Sequence, residues 1–204
     1  MRHFKIYSII GLILCLLLIS NISNSQTYWK TTTTPATWTT TAHWQKSTDY
    51  GSTWLASGGT YPNSTNDYVS ELNGTLTCDA SVTVCALYIA LSKTLTINSG
   101  FTLSVSAGAS GTQSNIYGTL TNNGTLNNTA TINIISGGTL TNSNSFSNNS
   151  GTLNVSGTFD NRVNLTANGT ITVANGGTYK HNYSSSAGTI PTCTWAIGST
   201  CEWA

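Results

Sequence analysis

The sequence predicts an all-β fold, a right-handed parallel β-helix: a three-sided β-solenoid with about 20 residues per coil and an N-terminal cap. Three observations lead to this prediction. Charged residues make up 6% of the chain, against about 25% in an ordinary soluble domain. Thr, Ser and Asn supply 37, 26 and 22 of the 204 residues. From residue 118 onward, the chain repeats a short unit built around one apolar residue.

The repeat consists of ten units in which polar residues flank one apolar residue, as in Gly118-Thr-Leu-Thr-Asn122. Such a unit is a short strand with one side chain pointing inward and its neighbours outward. One strand cannot bury its apolar residue alone, but three strands joined by Gly or Asn corners close a coil. Coils then stack at about 4.8 Å, so every third central residue falls in one row. The predicted rows are Leu120, Leu140, Phe159 and Tyr179; Leu126, Phe146 and Leu165; and Ile132, Leu153 and Ile171.

The handedness follows from the spacing of these central residues. They lie six to eight residues apart, whereas left-handed coils are built from strict hexapeptides. Parallel crossover connections are right-handed in nearly all known cases. The sequence therefore predicts a right-handed coil.

The composition also excludes several classes of protein. A nucleic-acid binder needs a basic surface to displace counterions from phosphates, and this chain has a formal net charge of +1. Few Glu, Lys and Arg residues and a single Met argue against a helical protein. A disordered chain is not expected either, because 38% of the residues are hydrophobic and can build a core.

The N-terminus has the pattern of a secretory signal peptide over residues 1–25. A positively charged start precedes an apolar stretch at 9–19, and the small residues at 23–25 resemble a cleavage site. The alternative is an uncleaved anchor, but the stretch is short for a membrane span. After cleavage no other stretch is apolar and long enough to span a membrane, so the sequence predicts a secreted or cell-surface protein.

The rest of the chain divides into three predicted segments. Residues 26–70 are an aromatic-rich N-terminal cap, and residues 71–183 are the parallel β-helix. Residues 184–204 are either a small C-terminal cap or the start of a missing downstream segment. A cap is expected because the end of a solenoid exposes its core and an unpaired strand edge. The same edge makes end-to-end association of solenoids a possible interaction.

Four cysteines follow the signal peptide: Cys78, Cys85, Cys193 and Cys201. In an oxidising compartment an even number favours disulfides, and the short separations predict the local pairs Cys78–Cys85 and Cys193–Cys201. Buried free thiols are the main alternative. No metal or other cofactor is expected, because the Cys and His residues lack the spacing of a zinc site.

The cap contains most of the tryptophans, including Trp38, Trp44 and Trp54. These side chains are expected to close the end of the solenoid. The alternative is a carbohydrate-binding platform, because exposed aromatic faces stack on sugar rings.

Three segments of the chain resemble a known group of proteins. Trp38-Thr-Thr-Thr-Ala-His-Trp44, the following Gly…Pro…Asp-Tyr-Val69 segment and Thr94-Leu-Thr-Ile-Asn-Ser-Gly100 are similar to the opening of large secreted surface proteins of the type IX secretion route. The resemblance covers most of the chain after the signal peptide. It implies a right-handed β-helix on an exported, adhesin-like or autotransporter-passenger-like protein, and it assigns no catalytic residue.

The charged residues do not form the pattern of an active site. Glycoside hydrolysis needs two carboxylates a few ångströms apart. Only Asp67 and Glu71 are close in sequence, and they lie in the predicted cap. No Gly-x-Ser-x-Gly motif occurs. The sequence therefore predicts a protein that is not an enzyme.

Two non-enzymatic functions remain open besides carbohydrate binding by the cap. The first is an adhesive or structural stalk that contacts glycans or other cell-surface proteins. The second is ice binding through Thr-x-Thr rows on one flat face. The candidate outer face consists of Thr119, Thr121, Thr139, Thr141, Thr158 and Thr178.

Overall fold

A computed structural model describes residues 26–108, 111–183 and 188–204. The predicted signal peptide lies outside the described residues, as does the 184–187 part of the predicted C-terminal segment. The described chain is almost entirely β-structure, and its helical content is one 3₁₀ turn at Thr41–His43. The predicted all-β class is confirmed.

The strands of the N-terminal region are short and partly irregular. They are β1 (Thr27–Thr31), β2 (Ala36–Thr37), β3 (Trp44–Ser47), β4 (Leu55–Ala56) and β5 (Ser64–Glu71). The following strands are mostly four residues long. They are β6 (Thr75–Cys78), β7 (Val82–Ile89), β8 (Thr94–Ile97), β9 (Thr102–Val105), β10 (Ser114–Ile116), β11 (Thr119–Asn122), β12 (Thr125–Asn128), β13 (Thr131–Ile134), β14 (Thr139–Asn142), β15 (Ser145–Asn148), β16 (Thr152–Val155), β17 (Thr158–Asn161), β18 (Thr170–Val173), β19 (Thr178–His181), β20 (Thr194–Trp195) and β21 (Thr200–Trp203).

These strands stack as the three faces of a parallel β-helix. The first face runs β2-β6-β8-β11-β14-β17-β19-β21 and is parallel throughout. The second face contains β9, β12 and β15, and the third contains β1, β5, β10, β13, β16, β18 and β20. Strand β7 turns a corner, because its first half pairs with β9 and its second half with β5 and β10. The parallel β-helix is therefore confirmed, while its right-handed sense stays a prediction.

The interior is filled by the predicted rows of central residues. Leu120 pairs with Leu140, Leu140 with Phe159, and Phe159 with Tyr179, and all four side chains are fully buried. The rows through Leu126 and Ile132 have the predicted register too. Stacking therefore gives each apolar side chain a neighbour above and below.

Leu165 departs from this pattern. It was expected to be a buried central residue, but it is half-buried and only packs against the edge of the core. Its segment forms one isolated bridge, between Ser147 and Thr166, instead of a strand. The physical reason is that no strand of the second face stacks beyond it among the described residues.

The corners are lined by buried asparagines that form ladders along the solenoid. Asn122 Nδ2 donates to Asn142 Oδ1 at 2.8 Å, and Asn142 Nδ2 donates to Asn161 Oδ1 at 2.9 Å. A second ladder joins Asn128 Nδ2 to Asn148 Oδ1 at 2.8 Å. Each of these amide nitrogens thus has an acceptor in the next coil, as a buried donor requires, while Asn122 Oδ1 is buried without a partner among the described residues.

One corner requires glycine for close approach of the backbone. A Cβ atom on Gly138 would collide with the carbonyl oxygen of Ile116 in the preceding coil. Glycine at this repeat position therefore allows successive coils to stack in contact.

The N-terminal region both caps the solenoid and joins it. Strands β1 and β2 are parallel to β5 and β6, so they extend two faces by one strand each. Strand β3 then pairs antiparallel with β1, and β4 with β3. The predicted boundary between 70 and 71 falls inside β5, because coil stacking begins before it.

The C-terminal segment continues the solenoid. Strand β20 pairs in parallel with β18, and β21 with β19. Trp203 follows the buried His181 in the same row but is 68% exposed. The described part of the chain thus ends on a coil whose inward row is uncovered.

Candidate functional site

The outward positions of the first face carry two parallel rows of threonine. Strands β6, β8, β11 and β14 each contain the motif Thr-x-Thr, and they pair in register, so equivalent threonines lie side by side. These eight residues, which we name the threonine face, are Thr75, Thr77, Thr94, Thr96, Thr119, Thr121, Thr139 and Thr141. Four of them were predicted from the sequence. Strands β6 and β8 extend the array by two coils.

The geometry of the threonine face is regular in two directions. The two threonines of one strand are about 6.7 Å apart, and neighbouring strands are about 4.8 Å apart. None of the eight hydroxyl groups takes part in a hydrogen bond with another described residue. The face therefore presents a regular array of threonine side chains to solvent.

The first row of threonines continues beyond this array, but the second row does not. Thr158 and Thr178 follow Thr139 in register, which confirms that they share the predicted outer row. In the second row, Asp160 and Lys180 replace threonine. Asp160 pairs with Arg162 at 2.7 Å, and Lys180 pairs with Glu202 at 3.0 Å. Ion pairs therefore mark the C-terminal boundary of the threonine face.

A second surface, on the third face, was missed by the sequence analysis. Tyr28 of β1 lies beside Tyr68 of β5, with ring centroids 5.4 Å apart. The Tyr88 and Tyr117 rings are 5.5 Å apart, and the Tyr50 ring is 5.6 Å from Tyr28. We name these five residues the tyrosine strip. Four of the rings are half-buried, and that of Tyr50 is 82% exposed.

Two hydroxyl groups of the strip, those of Tyr28 and Tyr68, have raised pKa values and stay protonated over the ordinary pH range. Burial is the largest cause that raises the pKa of Tyr68, to about 12, and the neighbouring Tyr28, Tyr88 and Tyr117 add to it. Burial also raises the pKa of Tyr28, with a further contribution from Tyr50. These rings therefore combine an apolar face with a hydroxyl that both donates and accepts hydrogen bonds.

The tyrosine strip leads directly into a row of amides. Tyr88 pairs with Asn115, Asn115 with Asn133, and Asn133 with Asn154. Asn133 Nδ2 donates to Asn115 Oδ1 and to Gln113 Oε1, both at 2.9 Å, and Asn154 Nδ2 donates to Asn133 Oδ1 at 2.8 Å. We name Gln113, Asn115, Asn133 and Asn154 the amide ladder. These hydrogen bonds fix the orientation of the amide groups on an outer surface.

The predicted sugar-stacking tryptophans do not form a platform. Trp38 and Trp44 are buried, and their indole N–H groups donate to the Pro62 and Trp38 carbonyl oxygens, both at 2.8 Å. Trp54 is half-buried, and Lys30 Nζ lies 4.4 Å from the centroid of its ring. Trp38 and Trp44 belong to the buried core, so at these two positions no ring face is free to stack on a sugar.

The predicted disulfides are also not present. All four cysteines in the described residues are free thiols. Cys78 lies in the hydrophobic core and donates to the Ala80 carbonyl at 3.2 Å, whereas Cys85 lies outside that cluster and accepts from Gln26 Nε2 at 3.0 Å. The two belong to different faces, so sequence proximity does not bring them together.

Burial governs the chemistry of these thiols. It is the largest cause that raises the pKa of Cys78 to about 12 and that of Cys193 to about 11. Burial raises the pKa of Cys85 as well. These three thiols are therefore protonated near neutral pH and are poor nucleophiles.

The carboxylates of the chain serve structural contacts. Asp67 accepts from Trp29 Nε1 at 2.9 Å, and its burial raises its pKa. Asp79 Oδ2 accepts from the Thr39 hydroxyl at 2.8 Å. Hydrogen bonds from Ser47 and Thr53 lower the pKa of Asp49 to about 2. The structure thus gives these acids local roles in turns and in the cap.

Within residues 26–108, 111–183 and 188–204, no group of three or more His, Cys, Asp or Glu side chains is arranged to hold a metal ion. In the same part of the chain, no helix is long and apolar enough to cross a bilayer. Comparisons of the chain with protein-family models, curated proteins and solved structures gave no match.

Proposed function

We propose that the protein is an exported, non-catalytic β-solenoid scaffold that acts at the cell surface, in adhesion or as a structural stalk. The observation that carries this proposal is the regularity of the outer faces. Successive strands present the same uncharged side chains in register, as in the threonine face and the amide ladder. Such surfaces offer many weak hydrogen bonds along an extended line, which suits contact with glycans or other surface proteins.

The contacts of the charged residues support the non-catalytic part of the proposal. A catalytic acid or base needs a group that is free to exchange a proton with a substrate. Here Asp160 is held by Arg162, and Asp67 is held by the Trp29 indole and the Asn63 backbone. These hydrogen bonds already occupy the carboxylate oxygens.

End-to-end association of solenoids belongs to the same proposal. In the described C-terminal strand, Cys201 and Trp203 continue the inward rows of Tyr179 and His181, yet both are exposed. An uncovered strand edge with apolar residues beside it can pair with a strand of another solenoid. Because the N-terminal region caps the opposite end of the solenoid, this pairing would join two molecules at their C-terminal ends.

A binding assay on intact cells tests the proposed adhesion. We expect saturable binding of the fluorescently labelled protein to a panel of bacterial and epithelial cells. Because the contact surfaces are uncharged, this binding should persist between about 0.1 and 1 M salt, where the screening length falls from about 10 to 3 Å. Heat-denatured protein is the control. Absence of saturable binding to every cell type, or binding that disappears in high salt, would contradict the proposal.

Ice binding is a second candidate, and the extent of the threonine face favours it. The array covers four strands and carries two threonines per strand, with hydroxyl groups that have no partner among the described residues. Its spacings of about 4.8 and 6.7 Å repeat in two dimensions, as an ordered water layer does. Methyl groups between the hydroxyls also favour ordered water over bulk solvation.

Replacing one central threonine by tyrosine tests this candidate. If the threonine face binds ice, Thr121→Tyr should remove thermal hysteresis and ice-crystal shaping, because the ring projects from the middle of the flat array. Thr172→Tyr is the matched control, since Thr172 has the same strand position but lies on the third face. Hysteresis that survives Thr121→Tyr, or is absent from the unmodified protein, would exclude ice binding by this face.

A further inference from the structure

We infer that the tyrosine strip and the amide ladder together form a binding site for a neutral polysaccharide chain that lies along the axis of the solenoid. The inference rests on the proposed surface function and specifies the face and the partner class. The first step is continuity. Tyr68 lies beside Tyr28, Tyr88 lies beside Asn115, and the ladder follows in register.

The length of this surface suits an extended polymer. The third face runs from β1 through β5, β7, β10, β13 and β16 to β18. From Tyr28 on β1 to Asn154 on β16, five steps of about 4.8 Å give a track about 24 Å long. A track of that length contacts several sugar units at once, so many weak contacts add up along one chain.

The chemistry of the side chains fits sugar rings. A pyranose ring has C–H groups on its faces and hydroxyl groups around its edge. Tyr supplies a large, rigid contact surface at a low cost in side-chain entropy, together with a hydroxyl group. Tyr68 and Tyr88 are half-buried, so their rings are held in place while part of each remains accessible.

The amide ladder provides oriented hydrogen-bonding groups for the sugar hydroxyls. Each amide offers two donors and an acceptor oxygen. Among the described residues, Asn115 uses only its oxygen, as the acceptor for Asn133, and Asn154 uses only its nitrogen. The remaining groups of Asn115 and Asn154 are half-exposed and available to a ligand.

Charge identifies the partner as a neutral polysaccharide. The outward row from Tyr88 through Asn115, Asn133 and Asn154 contains no Lys, Arg, His, Asp or Glu. A sulfated or uronic-acid polymer is recognised by Lys or Arg, which pair with its anionic groups. This row has no Lys or Arg to pair with an anionic sugar. Its uncharged side chains therefore suit an uncharged polysaccharide.

Affinity electrophoresis of the full-length protein tests the inference. The gels contain mixed-linkage β-glucan, xyloglucan, galactomannan or dextran, and dextran sulfate serves as the charged comparison. We expect at least one neutral polymer to retard the protein, and dextran sulfate not to. Tyr88→Ala should weaken the retarding interaction by about tenfold or more, whereas Tyr88→Phe, which keeps the ring, should stay within about threefold.

Two further variants separate binding from folding. Asn133→Leu removes the central amide of the ladder and should also weaken binding, while the same change at Asn127, on β12 of the second face, should leave it unchanged. Thermal melting of each variant confirms that it is folded. Should Tyr88→Ala melt early, Asn133→Leu decides the result.

The outcomes distinguish this inference from the proposed function. Retardation that is lost in Tyr88→Ala and Asn133→Leu but kept in Tyr88→Phe and Asn127→Leu supports the site. Unchanged retardation in Tyr88→Ala, or no retardation of the unmodified protein by any neutral polymer, overturns it. If cells still bind the protein in that case, the surface function stands without this site; if they do not, both fail.

Discussion

Replacing Leu140 by Asp should lower the free energy of unfolding by about 4 kcal/mol or more, a large fraction of the roughly 5–15 kcal/mol that stabilises a typical domain. Leu140 is fully buried between Leu120 and Phe159 in the inward row of the first face. The carboxylate would lie in an apolar row without a donor, and an unpaired buried charge is strongly unfavourable. The loss of packing affects the coils on both sides.

Urea unfolding monitored by circular dichroism measures this effect. Leu140→Ile is the matched control, because it keeps the apolar volume and should cost less than about 1.5 kcal/mol. Similar midpoints for Leu140→Asp and the unmodified protein would mean that Leu140 does not lie inside the coil.

The rows of the solenoid could be predicted because each strand has a period of two and each coil has a nearly constant length. Leu120, Leu140 and Phe159 were placed in one row from their spacing alone, and the structure pairs them in that order. Leu165 was placed by the same rule, yet it is only half-buried. The spacing of central residues predicts which of them share a row. It does not predict whether a further strand stacks on the last of them and buries it.

The functional surfaces were predictable only where the repeat is strict. Thr119 and Thr139 lie in regular coils, so the sequence identified them as neighbours. Tyr28, Tyr68 and Tyr88 come together through β1, β5 and β7, whose pairing contains register shifts. No fixed period in the sequence links these three residues, and so the tyrosine strip could be seen only in the structure.

The sugar-platform alternative for the tryptophans and the disulfide prediction failed for a different reason. Composition shows that Trp38 and Trp44 are large and apolar, which suits both a core and a sugar platform. Burial decides between the two, and both side chains are buried. Cys78 and Cys85 are close in the sequence, but a strand followed by a corner separates their faces. In a solenoid, residues that are one coil apart in the sequence lie side by side. Residues only seven positions apart, such as these two cysteines, lie on different faces.

Replacing Asn142 by Asp should give a pH-dependent loss of stability. Asn142 is fully buried; it accepts from Asn122 Nδ2 and donates to Asn161 Oδ1. An ionised Asp can still accept the hydrogen bond from Asn122. Its other carboxylate oxygen, however, would face Asn161 Oδ1, so two acceptors would meet without a proton between them. We expect a loss of about 3 kcal/mol at pH 7 relative to the unmodified protein, because a buried charge is left without full compensation.

Acid should restore much of this loss. Burial raises the pKa of the introduced carboxyl group in the folded state above its unfolded value. A group of this kind destabilises the fold when ionised, so stability returns as the pH falls through the raised pKa. The protonated Asp can donate to Asn161 Oδ1 and accept from Asn122, which reproduces both bonds of the ladder. At pH 4 the loss should therefore shrink to about 1 kcal/mol or less.

Asn142→Leu separates this effect from the general response of the protein to acid. Leucine has a similar size but cannot replace either hydrogen bond, so its cost of about 2 kcal/mol should be the same at both pH values. Urea unfolding of the three proteins at pH 4 and pH 7 gives the differences directly. If Asn142→Asp were equally destabilised at both pH values, the amide of Asn142 would not be part of a buried ladder. If it were no less stable than the unmodified protein at pH 7, that corner of the coil would be open to water.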